Sequence, residues 1–474
     1  MTDLSLLVPE ITVLASACLI LVVDLFLADK QRSITFGLSQ FALLVVFLLT
    51  LRLPHGETHY AFGDTFILDD MSVVLKCALY VLVAFAFFYS RQYLEQRGLH
   101  KGEFYVLGLF AMLGMMVLVS ANHLLVIYLG LELMSLALYA LVAFNRDSRP
   151  STEAALKYFV LGAISSGMLL YGISILYGIS GSLDIPSVAD SITHTSFDRV
   201  VLLFALSFIV VGVAFKLGAV PFHMWVPDVY QGAPTAVTLF VGSAPKVAAY
   251  AMAMRLLAGT LGNMQPEWQE MLIVLVVLSL ALGNIAAIAQ TNIKRMLAYS
   301  TISHIGFILL GVLTGTPAGY SAAMFYSIVY AIMTLGAFGT VILLSRSGFE
   351  AEQLADFKGL NERHPWFALM MLIFMFSMAG APPLVGFHAK LAVLRAALQA
   401  DLVWLAILAV LFSVVGAFYY LRVIKLMYFD SAEDSSVIDK SFDLKAVLSL
   451  NGLLVLGLGL MPGVLMGWCM TAFG

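Results

Sequence analysis

Charge is scarce in this chain. Of its 474 residues, 11% are Asp, Glu, Lys or Arg and 61% are hydrophobic, where a water-soluble domain carries roughly a quarter charged residues. That shortage excludes water as the main solvent. Cysteine is rarer still: Cys18, Cys77 and Cys469 lie scattered in apolar stretches, with no paired spacing for zinc or an iron–sulfur cluster. They read as packing residues, and no metal site is expected. There is no dinucleotide-binding glycine turn. No basic run suggests nucleic acid or a polybasic lipid tether, and the formal net charge is only −4. The N-terminus has no basic start, carrying Asp3 and Glu10 instead, and its first apolar run is long enough to span a bilayer, which argues against a cleaved signal peptide. No Ser/Pro-rich linker or low-complexity segment divides residues 1–474, so a single domain is expected.

What the chain has is length in apolar runs. About 20 apolar residues cross a bilayer, and fourteen runs qualify: 8–27, 34–51, 70–90, 104–120, 123–144, 154–180, 200–225, 235–255, 271–289, 296–313, 320–345, 366–400, 402–427 and 445–470. The expected fold is an all-α polytopic membrane protein of about 14 transmembrane helices. Cytoplasmic loops are enriched in Lys and Arg. The loops after spans one, three, five, nine, eleven and thirteen, with their helix ends, hold sixteen of the 25 basic residues, Lys30, Lys294, Lys358 and Lys440 among them, whereas the alternate loops hold only Arg52, Arg199 and Arg255. Odd-numbered loops are therefore expected in the cytoplasm and both termini outside. The six basic residues left over are Lys76, Lys157, Lys216, Lys246, Lys390 and Arg395, all within predicted spans.

A motif recurs. Gly218-Ala219-Val220-Pro221 in span seven and Gly380-Ala381-Pro382-Pro383 in span twelve are each followed shortly by Phe-His (Phe222-His223, Phe387-His388). A repeat offset by five helices, an odd number, must lie upside down relative to the first copy. That predicts two inverted five-helix repeats, 103–255 and 271–427, with helices seven and twelve broken, the arrangement that marks a transport path in secondary transporters.

A charge at the bilayer centre costs ~2.5–3.5 kcal/mol on insertion scales, so each one requires an account. Glu132 lies mid-span, too far from either end to snorkel. Lys216 precedes the first break, Lys246 follows Pro245 in span eight, and Lys390 follows the second break. These four share one depth band. One carboxylate cannot neutralise three lysines, so a static Glu132–Lys216 ion pair is an insufficient account and a switchable protonation state is expected. An amine whose hold on its proton depends on burial and neighbouring charge is a proton carrier. His223, His304 and His388 are candidate neutral relays between the lysines, and packing histidines are the alternative. His304 stands out beside Ser300, Thr301 and Ser303. Lys157 and Lys76 lie within two turns of helix ends, where snorkelling is the expected state, with Lys157 kept as an alternative relay. Asp24 and Arg395 sit at span boundaries as anchors.

The stretch KLGAVPFHMWVPDVYQGAPT, Lys216 to Thr235, resembles the signature of the antiporter-like membrane subunits of bacterial NADH:quinone oxidoreductase, respiratory complex I. PDVYQGAPT followed by SAPKVAAY around Lys246 resembles the subunit N group rather than subunits L and M. KRMLAYSTISHIG (Lys294–Gly306) and GAPPLVGFHAK (Gly380–Lys390) extend the likeness over nearly the whole chain. The pair His388-Ala389 departs from the usual subunit N wording, so His388 is not carried over as a family relay. The resemblance implies a proton-translocating, non-redox subunit of a translocase in the bacterial inner membrane. It implies Glu132 and Lys216 as a modulating pair, Lys246 as central relay and Lys390 as the step toward the outer side. FMN, iron–sulfur clusters and quinone would belong to partner subunits, no cofactor to this chain, and subunits M and K would be neighbours within the lipid bilayer. A subunit of a cation/proton antiporter with no redox partner shares this fold and is the rival reading. A scaffold whose buried charges only assemble neighbours is a third.

Overall fold

The computed structural model describes residues 3–28, 31–194, 197–432 and 441–473. Lys30 and Lys440, counted above among basic loop residues, lie outside them. The fold is helical, as expected. A short α1 (Asp3–Leu6) leads into α2 (Val8–Asp24) and α3 (Ser33–Thr50), followed by a small antiparallel hairpin, β1 (His59–Ala61) with β2 (Phe66–Leu68), Tyr60 opposite Ile67. Then come α4 (Asp70–Gln96), α5 (Gly102–Val119), α6 (Leu124–Val142), α7 (Arg149–Ser180) and the short outer α8 (Ile185–His194). The middle of the chain forms α9 (Arg199–Leu217), α10 (Trp225–Gly232), α11 (Thr235–Gly242), α12 (Ala244–Ala253), α13 (Gln265–Ile288), α14 (Ile293–Val312) and α15 (Pro317–Leu344). The last part forms α16 (Leu360–Arg363), α17 (Pro365–Ala379), α18 (Val385–Gln399), α19 (Val403–Tyr428), α20 (Phe442–Leu460) and α21 (Gly463–Thr471).

Among the described residues, twelve helices are long and apolar enough to cross a membrane, counting Thr235–Thr260 and Gly262–Ile288 as continuous rods. The 17-residue α2 and the broken α17–α18 occupy the places of the first and twelfth expected spans. These helices are apolar all round rather than on one stripe, and burial sorts them. Every residue of α11 and α12 is buried, whereas only a third of the most apolar stretch of α19 is covered. Leu411, Val414 and Phe418 of α19 are exposed, as lipid-facing side chains must be when the solvent is hydrocarbon. The innermost rod is the one that carries Lys246.

With no hydrophobic drive between helices in lipid, close packing must hold them, and glycine allows it. α5 meets α6 at a reciprocal glycine contact: a Cβ on Gly114 would lie 2.4 Å from the Met134 nitrogen, and one on Gly130 2.8 Å from the Leu118 nitrogen. α13 meets α14 the same way, with a Cβ on Gly283 falling 2.7 Å from the Ser303 nitrogen. Polar clamps close the ends. Asp24 accepts from Arg32 (2.9 Å) and Thr35 (2.6 Å) and packs on Gly102 at the start of α5, the anchoring position expected of it. Arg395, the other expected anchor, is exposed. At the opposite end, Asp69 caps α4 through a capping box with Ser72 and takes both Arg255 nitrogens, at 2.7 and 2.8 Å. Burial pushes the Asp69 carboxyl up, but the Arg255 charge and the hydrogen bonds from Arg255 and Ser72 outweigh it and hold it below its usual value.

Both predicted breaks are present. α9 ends at Gly218 and α17 at Gly380, each with φ +90°, a conformation that glycine adopts without a Cβ penalty. Each glycine is followed two residues later by a cis peptide, Val220–Pro221 and Pro382–Pro383. Freed backbone groups find partners in protein: the Val220 N–H donates to Ser279 (2.9 Å), the Gly386 N–H to Ser377 (3.0 Å), and Trp225 Nε1 to the Phe215 carbonyl (2.9 Å).

Candidate functional site

The carbonyls just ahead of the two breaks are where the lysines gather. The Lys246 ammonium donates to the Leu217 carbonyl at 2.9 Å and lies 3.5 Å from that of Lys216. The Lys390 ammonium donates to the Ala379 carbonyl at 2.9 Å. Leu217 and Ala379 occupy equivalent positions, each one residue before the glycine with positive φ. A helix C-terminus carries about half a negative charge and unpaired carbonyls, and favours a cation by ~0.3–1 kcal/mol, more when partly buried. Each break thus builds a cation seat inside the bundle. The glycines also make room: a Cβ on Gly380 would meet Lys390 Cδ at 2.9 Å. Lys246 is 1% exposed and Lys390 8%. Aromatic faces complete the seats, with Lys246 Nζ 4.7 Å from the Trp225 ring centroid and Lys390 Nζ 5.1 Å from that of Phe307.

Glu132 and Lys216 come together less directly than a buried pair would. No ion pair within 4.0 Å joins them among the described residues. The Lys216 ammonium, 6% exposed, donates instead to Ser135 Oγ at 2.8 Å and faces the Tyr139 hydroxyl at 3.4 Å. Glu132, Ser135 and Tyr139 fall at i, i+3 and i+7 on one face of α6, so the hydroxyls form a rail beside the carboxylate. Ser135 already donates to Leu131 (2.5 Å), leaving its oxygen to accept from Lys216. The Glu132 Oε1 atom is shielded from solvent and makes no hydrogen bond.

His304 lies on α14, on the side of the Lys390 seat. Its Nδ1 is 2.8 Å from the Tyr326 hydroxyl and its Nε2 3.0 Å from the Tyr420 hydroxyl, which in turn lies 2.5 Å from Ser300 Oγ. Phe307, one turn along α14, carries Lys390 over its ring, and Lys390 also donates to Ser413 of α19 at 2.8 Å. The structure therefore gathers Lys216 and Lys246 at the first break, beside the α6 face that carries Glu132, and Lys390 at the second, with His304 one turn of α14 from the Phe307 ring beneath it.

The remaining candidates fall elsewhere. Lys157 has a side chain 43% exposed and pairs with Glu153 and Asp228, both at 2.8 Å, on the outer surface of α7. His223 is half-buried in the first break, with its Nδ1 unbonded, and His388 is half-buried against Phe387. Lys76 departs from the snorkelling expected of it: it is fully enclosed, 2.5 Å from Glu10 of α2. Lys294, counted above with loop residues, is also buried, donating to the Ala233 carbonyl at 2.8 Å. Sequence reasoning missed the hydroxyl partners Ser135, Tyr139, Tyr326, Tyr420 and Ser413. Hydroxyls carry no charge to stand out in an apolar run, and only helix phase relative to a neighbour reveals them.

Residues 121–416 match the family described as NADH:quinone oxidoreductase/Mrp antiporter, TM, an interval that holds all five central residues. The chain is 63% identical over 460 residues to NADH-quinone oxidoreductase subunit N of Thioalkalivibrio sulfidiphilus, covering 97% of this chain and 96% of that one. Among solved structures it is similar to a chain of respiratory complex I from Thermus thermophilus with bound aureothin, at 32% identity and a TM-score of 0.83, covering 98% of this chain and all of the other. A chain of the Mrp complex from Dietzia sp. DQ12-45-1b superposes with a TM-score of 0.81 at 21% identity over 99% of this chain and 96% of the other. That likeness speaks for the fold alone, so the fold does not separate a redox-linked subunit from an antiporter subunit, whereas identity along the full length does. The chain belongs to the subunit N family of NADH-quinone oxidoreductases, as a multi-pass, proton-translocating membrane subunit of that complex.

Proposed function

We propose that protons cross this subunit along Glu132, Lys216, Lys246, His304 and Lys390, the two broken helices serving as the seats where a lysine takes up and gives away its charge. The observation that carries this reading is the pair of ammonium groups on equivalent carbonyls, Leu217 and Ala379. A seat made of backbone dipoles stabilises the protonated amine without binding it covalently or pairing it with a full counter-charge, so the proton can leave. Lys216 and Lys246 share the end of α9, and a proton on one raises the cost of a proton on the other. Glu132 offsets that cost from α6, which makes the Glu132–Lys216 spacing a natural point of control.

In this reading residues 103–255 and 271–427 act as two inverted repeats. The basic face is cytoplasmic, both termini are periplasmic, and the membrane is the bacterial inner membrane. Subunits M and K are the neighbours, and FMN, iron–sulfur clusters and quinone reside in other subunits, so this chain is a non-redox part of the translocase. Two results test it. In a cysteine-free background, Glu57→Cys should react with an impermeant thiol reagent added outside whole cells, and Glu95→Cys and Glu352→Cys should not; the opposite pattern would invert the topology. A tagged chain purified in mild detergent should carry NADH-reducible flavin and iron–sulfur absorbance in stoichiometric amount. Purification without either would favour the antiporter reading.

A further inference from the structure

A second polar feature lies outside the central line. On the basic face a cleft of about 450 Å³ opens between the starts of α7 and α14 and the loop after α15, lined by Tyr93, Arg97, Asp228, Lys294, Glu350 and Glu352 among others. The Glu350 carboxylate accepts from Arg97, from the Thr235 hydroxyl and from Tyr93 (3.1 Å). Thr235 opens the enclosed α11, and its N–H donates to the Tyr93 hydroxyl at 3.0 Å. Glu350 is thus held at the mouth of the innermost rod.

Below it runs a column of buried hydroxyls. Thr238, one turn down α11, donates to the Tyr230 carbonyl at 2.9 Å. The hydroxyls of Tyr230 and Thr334 are buried, facing Thr301 and Tyr330 respectively, and they meet at Gly242, where a Cβ would lie 3.3 Å from the Tyr230 hydroxyl and 3.2 Å from Thr334 Cγ2. Buried hydroxyls take a hydrogen-bond partner, and where a neighbouring hydroxyl is not within direct bonding geometry a water bridges the two. Thr334, Tyr330 and Tyr326 then descend α15 at four-residue intervals, ~12 Å along the axis. Tyr330 donates to Thr301 at 2.6 Å, and Tyr326 bonds His304 Nδ1. A packing account needs none of these hydroxyls, since Phe and Val would fill the same volume without the cost of burying a polar group.

Resting on the proposed proton path, we infer that this cleft and column form the entry by which protons reach His304 from the basic face, with Glu350 as the collecting group. A proton taken from water by Glu350 passes to Thr235. Each hydroxyl and bridging water then accepts a proton on its oxygen as it releases its own. One proton leaves Glu350, one arrives at the His304 imidazole, and every intermediate oxygen regains its starting state.

The test uses the intact complex in liposomes, with assembly read on a native gel and NADH-driven proton movement measured beside NADH turnover. Thr334→Val keeps the volume and loses the hydroxyl, whereas Thr334→Ser keeps the hydroxyl and loses a methyl. The column requires Val to lower proton movement several-fold and Ser to retain most of it, the reverse of what packing requires. Tyr330→Phe and Glu350→Gln should behave like Val, and Glu350→Asp like Ser. Assembled Thr334→Val and Tyr330→Phe complexes that move protons at the normal ratio, while Lys246→Arg does not, would overturn the entry column alone. Normal ratios in all three would overturn the central path and the column with it.

Discussion

Replacing Lys246 by arginine should leave an assembled complex that has lost nearly all proton movement coupled to NADH oxidation. The seat at the end of α9 is built for a cation, with the Leu217 carbonyl at 2.9 Å and the Trp225 ring below. A guanidinium satisfies both contacts and keeps its charge at any physiological pH. If the seat needs only a fixed positive potential, Lys246→Arg should work and Lys246→Ala should fail. If the amine must release its proton, both should fail. We expect both to fail, because no acidic side chain touches Lys246 among the described residues and a permanent charge there would serve no pairing. Positioned proton-transfer groups contribute ~10²–10⁴-fold, so the residual flux should be a small fraction of normal. Arginine's larger fork also enters a fully packed rod, and an intact band on a native gel must precede any activity measurement. Normal coupled turnover in an assembled Lys246→Arg complex would show that Lys246 carries no proton.

Glu132→Ala should impair pumping almost as severely, while Glu132→Asp retains much of it. The structure sharpens this expectation. Had Glu132 and Lys216 formed a tight ion pair, removing the carboxylate would leave an uncompensated buried charge, and the damage would be to stability. Instead Lys216 rests on Ser135 and Tyr139, contacts that survive the substitution. The complex should therefore assemble normally and the loss should appear in the ratio of protons moved to NADH oxidised. Glu132→Gln separates charge from shape, since it keeps the side chain's length and hydrogen-bonding capacity, and it should behave like Ala. An assembled Glu132→Ala complex with the normal ratio would remove Glu132 from the control of Lys216 and leave it a structural role only.

The sequence alone determined the solvent, the helices and the positions of the central charges. It could do so because the bilayer penalises departures severely. Apolar runs of about 20 residues have few soluble explanations, and Glu132, Lys216, Lys246 and Lys390 are conspicuous because each is expensive where it stands. The breaks were legible for a local reason as well: Gly218 and Gly380 sit before prolines that cannot continue a helix, and the structure ends α9 and α17 at those residues.

Tertiary structure decided who touches whom. Lys76 lies near a helix end, where sequence position favours snorkelling, and yet it is enclosed because α2 brings Glu10 beside it. Lys157 lies as near a helix end and does what that position predicts, the phase of α7 turning it outward to Glu153 and Asp228. Lys294 belongs by position to a basic loop but is covered by the turn carrying Ala233. The lysine seats depended on packing too, because the Leu217 and Ala379 carbonyls are invisible in a list of side chains, and which ammonium reaches them is set by how α12 lies against α9 and α18 against α17. The cost of burying a charge is a property of the residue and its depth, and can be read along the chain; the partner that offsets it is chosen by the rotation of neighbouring helices about their axes, which these nearly uniform apolar surfaces leave to packing.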